Sequence, residues 1–116
     1  MNKRRHKRFS MTGSADLTYR VQGKNQLIHT LISDISLSRI GLYVDAPLDE
    51  NFEVSLTIRF ISTDGSIKTD TIDGRIVYIK KIEEAYFMGI EFLEEINPEN
   101  QPSLYEHMQN ILMWDK

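Results

Sequence analysis

Two short runs of this chain carry side chains suited to recognising a small anion. The first is Arg4-Arg5-His6-Lys7-Arg8, in which Arg4 and Arg8 stand four residues apart. A guanidinium is planar, always charged and forked, so a pair of arginines can close on an anion through charge-assisted hydrogen bonds. The second run is Asp34-Ile35-Ser36-Leu37-Ser38-Arg39-Ile40-Gly41, which sets a carboxylate and a small hydroxyl at a junction between extended segments. Neither run is specific alone: any basic tail contains Arg-x-x-x-Arg, and Asp and Ser commonly cap turns.

Charge is strongly segregated. The first eight residues hold five of the fourteen Lys and Arg residues and no acid, so the net charge of −3 splits into a +5 arm and a −8 body. Such an arm is either a solvated tail or an anion clamp. The acidic body opposes a nucleic-acid polymer, because a polyanion would be repelled beyond the arm. With no cysteine, the chain has no disulfide, Cys-based zinc site or thiol chemistry, which fits a reducing cytoplasm. His6, His29 and His107 are too scattered for a metal site, Ser36 lacks the glycines of a nucleophile elbow, and no Gly-rich phosphate loop is present. No catalytic residue, metal or cofactor is therefore expected. No apolar run approaches the ~18 residues of a membrane span.

These side chains must be positioned by strands, because the dominant apolar period is two. Phe52, Val54, Leu56, Ile58 and Phe60 alternate with polar residues; Asp64-Gly65 follows as a turn, and an extended pattern resumes over 69–80 through Ile72, Gly74, Ile76 and Tyr78. Ala15, Leu17, Tyr19 and Val21 mark an earlier strand ending at a turn around Gly23, Lys24 and Asn25. Residues 27–32, Ile40 to Val44 and 86–92 supply three more strands. The period then changes: Leu104, Met108, Ile111 and Leu112 form a helical stripe. Pro102 and the capping-box spacing of Ser103 and Glu106 predict a helix over about 102–114. One domain is expected, with a flexible basic arm at 1–12 and a packed unit at 13–116. Its class is all-β, an antiparallel barrel or sandwich with the helix packed on it.

With this order of elements, and with about 25 residues between the two runs, the chain resembles the PilZ domain family. Gly74-Arg75-Ile76-Val77 in a long strand and Gly89-Ile90-Glu91-Phe92 in the last strand add to the likeness, which covers nearly the whole chain. The resemblance implies a six-stranded antiparallel β-barrel with a C-terminal helix. It also implies binding of the bacterial second messenger cyclic di-GMP by the Arg-x-x-x-Arg and [Asp/Asn]-x-Ser-x-x-Gly motifs. Carried onto this chain, the binding residues are Arg4, Arg5, Arg8, Asp34, Ser36 and Arg39. Asp34 would accept from guanine N1–H and N2–H, the arginines would take phosphate or the guanine O6/N7 edge, and Ser36 would bond a guanine or phosphate group.

One position departs from the family pattern. Arg39 stands where the motif has glycine, and Gly41 follows two residues late. Arginine is disfavoured at positive φ and fills space, so Arg39 either obstructs the loop or adds a phosphate contact. The second outcome is favoured, because Arg4, Arg8, Asp34 and Ser36 are intact. The functional expectation is a cytoplasmic bacterial receptor, not an enzyme, that binds cyclic di-GMP, orders its arm and signals to a downstream protein partner without inserting into a membrane. The alternative is a degenerate PilZ-like module that has lost the nucleotide and works by protein interaction.

Overall fold

The computed structural model describes residues 7–114. Seven strands and one helix follow in order: β1 (Phe9–Ser10), β2 (Gly13–Val21), β3 (Lys24–Ile35), β4 (Arg39–Val44), β5 (Glu53–Ile61), β6 (Ile67–Ile82), β7 (Ala85–Phe92) and α1 (Pro102–Trp114). Six of the strands, all paired antiparallel, form the closed circuit β2-β3-β4-β7-β6-β5. Closure removes sheet edges, and alternation along each strand sends one face inward. Leu17, Leu42, Leu56, Ile58, Ile76, Met88 and Ile90 meet there, fully buried.

The seventh strand is an addition. β1 lies along β3, with Phe9 opposite Ile35 and Ser10 opposite Asp34, on the edge that β2 occupies lower down. Phe9 and Met11 are buried in the core. Burying side chains of that size contributes roughly 1.5–3 kcal/mol each, enough to hold a two-residue strand in place. The packed unit thus begins at Phe9 and not at residue 13, and the expected 1–12 arm overlaps it; Arg4 and Arg5 lie outside the described residues.

Two irregularities change which face a side chain takes. β3 shifts register between Ile32 and Asp34, and β6 shifts between Ile76 and Tyr78. Strict alternation would put Asp34 on the face of Ile32 and Tyr78 on that of Ile76. An extra residue in each strand, Ser33 and Val77, turns Asp34 and Tyr78 to the outside. The β2–β3 turn also differs from the expected one: it is the two-residue Gln22-Gly23, both at positive φ (53° and 80°), the geometry that matches hairpin twist.

Helix α1 packs Leu104 and Met108 into the core. Its first turn is capped from elsewhere in the fold. The Leu104 amide donates to the Asp70 carboxylate of β6 at 2.7 Å, and the Gln101 side chain donates to the Thr71 carbonyl at 3.1 Å. The helix starts where expected, but this cross-strand carboxylate occupies the capping role assigned to Ser103 and Glu106.

Candidate functional site

Arg8 and Asp34, separated by 26 positions, meet on the outside of the barrel. Arg8 directly precedes β1, so the burial of Phe9 anchors it, while the bulge at Ser33 turns Asp34 outward beside it. Arg8 Nη1 donates to Asp34 Oδ2 at 2.6 Å, with both side chains mostly covered (21% and 23% exposed). Asp34 Oδ1 is buried and receives no hydrogen bond from any described residue. A buried carboxylate oxygen without a donor is costly, and it marks where an N–H donor from outside would be most strongly held.

Asp34 fits there because of Gly41, its cross-strand partner on β4. A Cβ on Gly41 would lie 2.5 Å from Asp34 Oδ1 and 2.5 Å from Phe87 Cζ, so the carboxylate and the ring share the space a side chain would fill. Gly41 is a site residue that sequence reasoning noted only as displaced from the motif; its signal is the pairing with Asp34, which the sequence does not display.

Ser36 takes a supporting place. It is buried, and its hydroxyl accepts from the amides of Ser38 (3.2 Å) and Arg39 (3.1 Å), while its own amide donates to the Arg39 carbonyl at 2.8 Å. The loop is further fixed by the Phe92 amide on the Ser38 carbonyl and the Ile96 amide on the Leu37 carbonyl, both at 2.9 Å. Ser36 therefore braces the turn rather than facing outward.

Arg39 is not in the left-handed region, so the backbone conformation of the loop does not call for glycine there. It sits opposite Glu91 of β7, with Nη2 3.8 Å from Oε2 and both side chains about half exposed. Glu91 also faces Arg75, which pairs with Glu53 at 3.1 Å, giving an outer row of alternating charge across four strands. The structure thus brings Arg8 and Asp34 together, uses Ser36 to brace the loop, and leaves Arg39 beside Glu91. Lys7 lies with Nζ 5.8 Å from the Phe9 ring centre. Among the described residues, no group of three or more His, Cys, Asp or Glu side chains could hold a metal ion.

The sequence matches the model of the PilZ domain over residues 2–113. The chain belongs to the PilZ domain family. A search of curated proteins finds no match. Among solved structures, this PilZ domain is similar to the Bacillus subtilis inhibitor of motility MotI/DgrA, with a TM-score of 0.74 and 16% identity over 97% of this chain and 53% of that one. It is also similar to the PilZ domain of Escherichia coli YcgR with c-di-GMP (TM-score 0.64, 16% identity, 99% of each chain). A third is the K. pneumonia MrkH–c-di-GMP complex (TM-score 0.63, 18% identity, 99% of this chain and 55% of that one). The PilZ domain here spans about half the length of MotI and MrkH. At these identities the likeness establishes the shared barrel, and the six-stranded closed circuit with its terminal helix is that fold. No helix among the described residues is long and apolar enough to cross a membrane.

Proposed function

We propose that this PilZ domain is a cyclic di-GMP receptor, not an enzyme, that acts in the bacterial cytoplasm and relays the nucleotide signal to a protein partner. The observation that carries this reading is the Arg8–Asp34 pair, which presents a cation beside a buried carboxylate oxygen without a donor. Guanine offers N1–H and N2–H to Asp34 Oδ1, while Arg8, already held by Oδ2, directs its remaining donors at a phosphate or at O6 and N7. Ser36 acts by bracing the loop beside Asp34. Arg4 and Arg5, which lie outside the described residues, add guanidinium contacts to the ligand, and Arg39 exchanges the exposed Glu91 carboxylate for a ligand phosphate. A surface pair of that length contributes little by itself, so the exchange is undemanding. Two of the similar structures, those of YcgR and MrkH, contain c-di-GMP, which adds support for the ligand class.

Isothermal titration of the full chain with cyclic di-GMP tests this directly. Asp34→Ala and Arg8→Ala are each expected to weaken binding by at least ~1.5 kcal/mol, the lower range for a charge-assisted hydrogen bond. No heat of binding from the parent protein would sink the receptor reading and leave a protein-interaction module in its place. Arg39→Gly is expected to weaken binding and flatten its salt dependence, since one ionic contact is lost. A tighter, equally salt-sensitive variant would mean that Arg39 obstructs the loop.

A further inference from the structure

Asp34, Gly41, Gly89 and Tyr78 are successive cross-strand neighbours on the outer face of β3, β4, β7 and β6. Both ends of this row depend on a bulge, which turns Asp34 out of β3 and Tyr78 out of β6. Its two middle positions carry no side chain, and neighbouring groups fill the space. The Phe87 ring and Asp34 Oδ1 lie over Gly41, and a Cβ on Gly89 would run into the Tyr78 ring.

The result is a three-ring shelf. Phe87 stands between Tyr43, with centroids 5.3 Å apart and planes at 59°, and Tyr78, at 5.9 Å and 46°. Tyr43 and Tyr78 remain 41% and 38% exposed, so ring surface is open to solvent on both sides. The barrel interior does not require these rings, and bulges that re-aim side chains onto one outer row are a recurring feature of binding sites.

We infer that Phe87, flanked by Tyr43 and Tyr78, is the stacking surface for the base whose N–H edge donates to Asp34 Oδ1. This rests on the receptor reading above and extends it to the residues that grip the base. The occupant follows from the juxtaposition. A buried acceptor without a donor lies beside an aromatic edge, so the ligand needs N–H donors in the plane of a ring whose face can stack. Guanine has both, with N1–H and N2–H side by side; adenine sets its one donor, N6–H, beside an acceptor nitrogen and so matches the carboxylate less well. Because the Phe87 rim and Oδ1 share the space over Gly41, the ring turns aside as the base enters, trading contact with the carboxylate for contact with the base.

Titrating cyclic di-GMP into the parent, Phe87→Leu and Tyr78→Leu proteins tests this, with the guanine H8 proton followed by NMR. Leucine keeps apolar bulk but has no π-face. The expected result is about tenfold weaker binding for Phe87→Leu, in line with base–aromatic stacking elsewhere. In the parent complex H8 should shift upfield by ring current, and Phe87→Leu should abolish that shift. Parent-like affinity and an unchanged H8 shift in Phe87→Leu would overturn the shelf while leaving the receptor reading intact. No binding by the parent would overturn both. If Phe87→Leu does not fold, the parent complex carries the test: bound ligand whose H8 shows neither an upfield shift nor a nuclear Overhauser contact to the Phe87 ring protons would overturn the inference.

Discussion

At Asp34 the two carboxylate oxygens face different chemistry: Oδ2 is bonded to Arg8, and Oδ1 is buried over Gly41 without a donor among the described residues. Removing Arg8 therefore exchanges a mostly covered ion pair for an uncompensated carboxylate, and Arg8→Ala should lower folding stability by about 1 kcal/mol as well as weaken ligand binding. Chemical denaturation checks it, and a variant as stable as the parent would show that solvent already satisfies the pair. Gly41→Ala acts on the same space from below. Its methyl would overlap Oδ1 and the Phe87 edge at 2.5 Å, so one of them must move. Overpacking of this kind typically costs about 1–3 kcal/mol, and the displaced carboxylate should weaken cyclic di-GMP binding as strongly as Asp34→Ala does. Parent-like melting and titration together would mean that the ring swings away freely.

Among the elements, helix α1 shows how a local signal can locate a boundary without supplying the interaction that makes it. The stripe of Leu104, Met108 and Ile111 and the Pro102 start are as expected, yet the Leu104 amide is taken by Asp70, 34 residues earlier. Asp70→Ala should destabilise the domain by about 1 kcal/mol, the usual worth of a helix cap, and Ser103→Ala by clearly less. Amide hydrogen exchange over the first helical turn distinguishes the two, since only loss of Asp70 should speed it. Equal effects would restore the capping box to the Ser103 and Glu106 pair.

At the scale of the whole molecule, the helix closes onto the barrel around His107. Its ring lies 4.8 Å from Phe60, and its Nδ1 is buried without a hydrogen-bond partner among the described residues. Burial holds its pKa below the ordinary 6.5, because the charged form loses hydration there. The unfolded chain thus takes up the proton first. His107 contributes its full stability above about pH 6.5, loses it as pH falls, and stops losing it below the folded-state pKa. Asp16 adds a second decline at lower pH: hydrogen bonds from Arg59 and then His29 hold its pKa below 3.8, and that stabilisation disappears as pH drops through the folded value. Unfolding free energy measured from neutral to acid pH should fall in these two stages, and His107→Leu should remove only the one beginning near 6.5. A first stage that persists in His107→Leu would assign it to another group.

Much of this architecture is written locally. The alternation of Val54, Leu56, Ile58 and Phe60, the helical stripe and the turn residues respond to neighbours a few positions away, so the succession of six barrel strands along the chain and the terminal helix were legible in it. The motif residues Arg8 and Asp34 were legible too, through their types and order. What the sequence could not disclose is set by register between distant strands. Alternation places Asp34 with Ile32 and Tyr78 with Ile76, and only the mismatch in strand pairing that creates each bulge turns them outward. Likewise Gly41 reads as a misplaced glycine until pairing sets it opposite Asp34, and Phe9 and Met11 read as arm until the groove along β3 receives them. Local pattern depends on each residue's own preference and burial, whereas the site depends on which residues meet across the barrel wall, and that is decided only when the circuit of strands closes.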